Sequence, residues 1–162
     1  LWFNMLKITI IGHGFVGKAI DYAFQDDVEK QIIDPKYDVH LHDVSLSADV
    51  TFVCVPTPMK SDGRQDLSFI EKVFEESKEG PIYIIKSTVL PGTTETLQSK
   101  YPHLNIIFSP EFLNERTAKL DMVTQARVIF GGKEELTKKV EDFTDMFSFA
   151  LWQTGHPDYR LK

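Results

Sequence analysis

The sequence predicts an α/β domain with a doubly wound, mainly parallel sheet whose second crossover is shortened. Three observations predict it. Residues 6–17 (LKITIIGHGFVG) pass from an isoleucine-rich run into three glycines spaced G-x-G-x-x-G, and residues 16–24 then read as helix. Residues 49–55 (DVTFVCV) form a near-continuous β-branched run, the pattern of a strand buried on both faces of a parallel sheet. Strand-like and helix-like stretches then alternate to residue 147, as βαβ units require.

The order strand, glycine turn, helix gives the glycine spacing its meaning, because that is the context of a dinucleotide-binding, Rossmann-type fold. Gly12 allows a tight turn, Gly14 lets backbone approach a pyrophosphate, and Gly17 lets helix and strand pack closely. The unpaired N–H groups at the helix start then face the phosphates. Residues 31–34 (QIID) are a short apolar strand ending in Asp34, twenty residues beyond Gly14. A carboxylate there accepts both hydroxyls of an adenosine ribose and repels a 2′-phosphate, so the expected cofactor is NAD and not NADP. Lys36 nearby would offset that repulsion. The bland alternative for Asp34 is a turn residue before Pro35.

A chain of 162 residues fits one domain and buries a sizeable core. Its net charge of −6 argues against nucleic acid and anionic membrane as partners. It does not argue against a dinucleotide, whose phosphates backbone amides can hold. The single cysteine, Cys54, excludes an internal disulfide framework and fits a reducing, cytoplasmic setting. No apolar run has the length of a membrane span, and no signal peptide is visible. Residues 1–4 read as vector-derived sequence ahead of a start at Met5, residues 5–147 as the domain, and residues 148–162 as a loop or frayed tail.

Between Asp34 and Ala48 the chain has little room for a full crossover helix, and Val39 and Leu41 alternate with His40 and His42 as in a short half-exposed strand. The two histidines read as surface residues, so no metal is expected. Cys54, inside its strand, reads as a small hydrophobe and not as a nucleophile. Pro56, Thr57 and Pro58 end that strand, at the carboxyl-end position where ligands bind in open α/β sheets. Asp66 is expected to cap a helix to about Lys78, with Phe69, Ile70, Val73 and Phe74 as its apolar stripe. Strands are expected at residues 82–85, 105–108 and 127–130, a helix between Pro91 and Pro102, and a last helix over residues 133–147.

Taken together these residues resemble the UDP-glucose and GDP-mannose 6-dehydrogenases. The likeness lies in four blocks in the family's order: IGHGFVG at 11–17, VPTP with DLSFIEKV within 55–73, KSTVLPGTT at 86–94, and SPEFLNERTAKLD with ARVIFGG within 109–132. The resemblance implies oxidation of a sugar-nucleotide primary alcohol to a carboxylate in two steps, reducing two NAD+. It implies NAD contacts from Gly12, His13, Gly14, Phe15, Val16, Gly17, Asp34, Val55, Pro56, Thr57, Ser87, Thr88, Val89 and Glu115. Glu111 matches the family's acid/base residue, Thr88 one that helps position the hydrolytic water, and Arg127 a structural or substrate-side arginine. From the residues alone, Thr88 also reads as a strand-end residue before a turn, and Glu111 as an acid favoured at a helix start.

Departures from the family bear on activity. Its nucleophilic cysteine, with the lysine, asparagine and aspartate around it, would fall beyond residue 162, as would its long central helix and sugar-nucleotide domain; Cys54 does not match that thiol. Asn114 and Arg116 stand where arginine and glycine are usual. The expectation is therefore an NAD-binding half that is inactive alone, meeting a nucleotide sugar only if another domain or chain completes it, as homo- or hetero-oligomer. A non-catalytic module that senses NAD or pairs with a separate catalytic chain is the alternative. A β-hydroxyacid-type dehydrogenase shares the glycine loop but fits VPTP and PEFL poorly.

Overall fold

The computed structural model describes residues 6–24, 28–43, 47–124 and 128–142. Five strands, β1 (Lys7–Ile11), β2 (Glu29–Ile33), β3 (Val50–Val53), β4 (Ile82–Ile85) and β5 (Asn105–Phe108), form one sheet in the order 2-1-3-4-5. All four pairings are parallel, with Ile11 level with Ile33 and Val53, and Val53 level with Ile85. The burial of each strand follows its place. VTFV of β3 and IYII of β4 are buried at every position, whereas β2 at the edge carries Glu29, Lys30 and Gln31 and is only half-buried.

Helices α1 (Phe15–Ala23), α2 (Ser68–Glu76) and α3 (Thr93–Lys100) make the crossovers. They lie on opposite faces, and the strand side chains alternate to meet them. Ile8, Ile10, Val50, Phe52, Ile82 and Ile84 pack with Ile20 of α1 and with Phe24 just past its end, while Ile11, Val53, Tyr83 and Ile85 pack with Val73 and Phe74 of α2 and Leu97 of α3. Each fully buried aliphatic or phenyl side chain contributes about 1.5–3 kcal/mol. α5, described over residues 134–142, adds Leu136 and Val140 to the α1 face, as their spacing predicts. The continuation of that helix to residue 147 and the tail after it lie outside the described residues, as do residues 1–4.

The shortened crossover is as expected, but its contents are not. Val39 and Leu41 form no strand. The chain makes two 3-10 turns, Pro35–Tyr37 and Leu41–Asp43, and Val39 and Leu41 pack against the α2 face. Apolar residues two apart anchor a turn as readily as a strand when no neighbour is free to pair. Among the described residues no strand lies beyond β2.

Two further expectations are corrected and one helix is added. Residues 128–130 are not a strand: Gly131 exchanges one pair of backbone hydrogen bonds (2.8 Å each) with Phe108 in an antiparallel bridge. Gly132 then takes φ 151° and turns the chain away. Asp66 stands one residue before the N-cap of α2, where its Oδ1 accepts the Ser68 N–H at 3.0 Å. A helix absent from the sequence reading, α4 (Ala118–Thr124), packs on α1, bringing Val123 against Ala23. Among the described residues no helix is long and apolar enough to cross a membrane.

Candidate functional site

The carboxyl ends of β1 and β3 are neighbours from which the chain departs to opposite sides, which opens a crevice between them. The glycine loop lines it. Gly12 has φ 89°, and a Cβ there would stand 2.6 Å from the Cys54 carbonyl oxygen. A Cβ on Gly17 would stand 2.0 Å from the Gly12 carbonyl oxygen, so helix and loop touch through backbone alone. Around Gly14 the space is open, with nothing within 4 Å of an added Cβ. The first turn of α1 carries no acidic residue, so its free N–H groups and positive dipole end meet that space uncompensated. Two glycines are filled by the fold and the middle one faces open space, which fits a diphosphate approaching backbone. Phe15 is exposed and Val16 half-buried on the same turn.

Asp34, at the end of β2, is tied to this loop. Its Oδ2 accepts the His13 N–H at 2.7 Å and its Oδ1 the Lys36 N–H at 2.9 Å. Each oxygen retains lone-pair capacity for a hydroxyl donor. The Lys36 ammonium lies 3.7 Å from Asp34 Oδ2 and donates to the His13 carbonyl. The cation flagged in the sequence thus lies across the loop, beside the carboxylate. His13 contributes differently from its neighbours: its ring is buried, bonded to the Tyr37 hydroxyl (2.8 Å) and Asp21 Oδ2 (3.1 Å). Asp21 in turn meets Lys30 of β2 at 2.9 Å. The short crossover is latched to α1 and β2 through these side chains, and no sequence signal marks Tyr37, Asp21 or Lys30 as partners of the loop.

Burial opposes ionisation of Asp34 and Asp21, yet both carboxyls are held below the usual carboxylate range. The His13 and Lys36 backbone N–H groups outweigh burial at Asp34, and the hydrogen bonds from Lys30 and His13 do so at Asp21. A depressed folded value means stability that is present above the unfolded carboxyl value of about 4 and lost as pH falls through the folded value. Urea midpoints followed by circular dichroism are therefore expected to be level above pH about 5 and to decline below about 4. Asp34→Asn is expected to flatten that decline.

The loops after β3, β4 and β5 complete the crevice rim. Val55 and Thr57 are half-buried and Pro56 exposed. Thr57 Oγ1 donates to the Thr88 carbonyl at 2.8 Å, and Gln65 Nε2 donates to the same oxygen at 2.7 Å. Gln65 pairs with Met59 across a small antiparallel bridge, which carries it back to this loop; nothing in the sequence points to it. Ser87 Oγ donates to the Val55 carbonyl at 2.6 Å. Thr88 is exposed and Val89 half-buried. Glu111, past the end of β5, is half-buried, with Oε2 accepting the Leu113 N–H at 2.8 Å, while Glu115 is exposed. Asn114 and Arg116 build the turn into α4, Asn114 Oδ1 accepting the Arg116 N–H at 3.0 Å. Arg127 lies outside the described residues.

Beneath this rim Lys86 is buried, and its ammonium donates to Ser109 Oγ and the Pro110 carbonyl, both at 3.2 Å. Cys54 is half-buried, and burial pushes its thiol up to about 12, so it is an inert thiol at neutral pH. The His40 and His42 rings stack 5.5 Å apart, and among the described residues no three His, Cys, Asp or Glu side chains gather around a metal position.

Comparison with known proteins places this geometry. The family model described as "UDP-glucose/GDP-mannose dehydrogenase family, NAD binding domain" matches residues 26–148. UDP-glucose 6-dehydrogenase of Campylobacter jejuni is 30% identical over 178 residues, covering 85% of this chain and 44% of that protein. That alignment is longer than the chain itself, so the relative carries residues with no counterpart here. UDP-glucose 6-dehydrogenase 1 of Glycine max is 32% identical over 146 residues, covering 80% of this chain and 27% of that protein. Among solved structures, a UDP-glucose dehydrogenase from Pyrobaculum islandicum superposes with a TM-score of 0.70 at 22% identity, over 86% of this chain and 44% of that one. A GDP-mannose dehydrogenase from Pseudomonas aeruginosa does so with a TM-score of 0.64 at 22% identity, over 86% and 43%. At that identity the superpositions speak for the fold. The chain spans less than half the length of each of these relatives. By the family match over most of its residues, this chain belongs to the UDP-glucose/GDP-mannose dehydrogenase family and carries that family's NAD-binding domain.

Proposed function

We propose that this chain is the cofactor half of a nucleotide-sugar 6-dehydrogenase: it binds NAD and turns over nothing by itself. The observation that carries the first part is the glycine loop, where open backbone at Gly14 meets the uncompensated start of α1 beside the Asp34 carboxylate. The diphosphate sits against the loop from Gly12 to Gly17, Asp34 accepts the adenosine ribose hydroxyls, and the loops from Val55 to Thr57 and Ser87 to Val89 hold the remainder. The cofactor supplies the hydride acceptor. Glu111 moves the proton of the reacting alcohol and Thr88 orients water at its exposed hydroxyl. The second part rests on Cys54, the single cysteine, whose raised thiol cannot add to an aldehyde at neutral pH. On this reading the aldehyde step, and with it the carboxylate product, needs a further domain or chain that brings a reactive thiol.

A second reading makes the domain a non-catalytic NAD module that pairs with a separate catalytic chain. Met59, Leu90 and Phe112, one in each loop after β3, β4 and β5, are exposed and favour a covering partner. Calorimetric titration of the chain with NAD+, NADH and NADP+ tests what the two readings share. Binding of NAD+ and NADH with weak or no binding of NADP+ is expected. A folded chain that binds none of the three would overturn both. Adding UDP-glucose and NAD+ and following absorbance of the reduced nicotinamide tests the second part; steady turnover by this chain would refute it.

A further inference from the structure

We propose that Lys86 is a positioning residue for charge, which makes the crevice prefer the reduced, neutral nicotinamide over the oxidised, cationic one. This rests on the NAD reading above and deepens it. Lys86 is 6% exposed at the carboxyl end of β4, the strand that leads into Thr88. A four-carbon stem in that position could be apolar throughout, yet it carries an amine into the interior, fixed between β4 and β5 by Ser109 Oγ and the Pro110 carbonyl. Both acceptors are neutral and orient the ammonium, while the Glu111 carboxylate offsets its charge in part. Among the described residues, the titratable groups that face it are Cys54 at the end of β3 and Glu111 past β5. Cys54 is a neutral thiol at working pH. Glu111 gives one carboxylate oxygen to the Leu113 N–H and keeps its charge at every pH of the test, so the step with pH comes from Lys86 against a fixed background.

The consequence is a difference between two ligands of one shape. A nicotinamide ring bears one positive charge when oxidised and none when reduced. A like charge in a partly desolvated crevice weakens binding of the oxidised form by about tenfold and leaves the reduced form nearly unchanged. Tighter holding of the reduced form makes the bound cofactor a stronger oxidant, which suits a domain that accepts hydride from an alcohol. Burial lowers Lys86 to about 8, so the charge can be removed by pH while the fold is intact. Below that value the ammonium is present and the oxidised form is penalised. Above it the amine is neutral and the penalty is lifted.

The test is calorimetric titration of the whole chain with NAD+ and with NADH from pH about 7 to about 9.5, a window that spans the Lys86 value. For the wild type, the ratio of the NAD+ to the NADH dissociation constant is expected to fall about tenfold across this window. Lys86→Met is expected to show the low ratio at every pH, and Lys86→Arg the high ratio at every pH, with circular dichroism reporting that each is folded. A ratio level with pH in the wild type, or a folded Lys86→Met chain that keeps the wild-type pH step, overturns the proposal. If either variant fails to fold, the wild-type pH profile decides alone. A folded wild type that binds neither nucleotide overturns the cofactor reading itself, which separates the two failures.

Discussion

A methyl group at Gly17 is expected to destabilise the fold by about 3 kcal/mol or more, while the same methyl at Gly14 leaves stability unchanged and removes most of the cofactor affinity. The two glycines are three residues apart and do opposite things. The Gly17 Cβ would lie 2.0 Å from the Gly12 carbonyl oxygen, and both contact atoms belong to backbone that β1 and α1 hold in place. Neither can yield without separating helix from strand. For a domain of this size about 3 kcal/mol corresponds to a fall in melting temperature of about 6–12 °C. Gly14 has φ −77° and ψ −158°, which alanine adopts freely, and nothing stands within 4 Å of the added carbon. The methyl would occupy the space left for the diphosphate. Thermal unfolding and NAD+ titration of Gly17→Ala and Gly14→Ala check both halves. Equal melting temperatures for the two variants would contradict the packing assignment, and full NAD+ affinity in Gly14→Ala would contradict the phosphate assignment.

Asp34→Ala is expected to weaken NAD+ binding by about ten- to a hundredfold, because hydrogen bonds to a charged acceptor are worth about 1.5–3 kcal/mol. Part of that loss comes from the loop. The carboxylate accepts the His13 and Lys36 N–H groups, and without it both donors lose their partner and the path from Gly12 to Gly14 loosens. The substitution is also expected to narrow the preference for NAD+ over NADP+, since Lys36 would then stand unopposed beside the ribose position. Lys36→Ala works in the other direction: with the cation removed, Asp34 repels a 2′-phosphate more fully and the preference for NAD+ widens. Competitive titration of both variants with NAD+ and NADP+ reads the two effects. Unchanged NAD+ affinity in Asp34→Ala would reduce Asp34 to a turn residue before Pro35.

Much of this was legible in the residues, and the exceptions have physical causes. β4 and β5 fall at residues 82–85 and 105–108 as the sequence predicts, because a short run of isoleucine and aromatic residues between a proline or polar start and a polar end leaves little freedom. Residues 39–41 and 128–130 misled for one shared reason. Alternation and β-branching report a preference for extended backbone, not the presence of a partner strand. Val39 and Leu41 find burial against the α2 face instead, and Val128 and Ile129 remain exposed beside a single bridge. α4 escaped notice because its seven residues bury only Ala118 and Val123, too few to mark a stripe. In the site, residue types that act through backbone geometry, such as the glycines, could be read by spacing. The Asp21–His13–Tyr37 latch and the Lys86 anchorage could not, since they join side chains whose neighbourhood only the folded chain creates.

The Thr88 carbonyl has two lone pairs, and Thr57 and Gln65 take one each. Two separate points of the loop after β3 therefore hang on one oxygen of the loop after β4. Separating the segment after β4 from the loop after β3 means breaking both contacts, so these two parts of the rim are coupled.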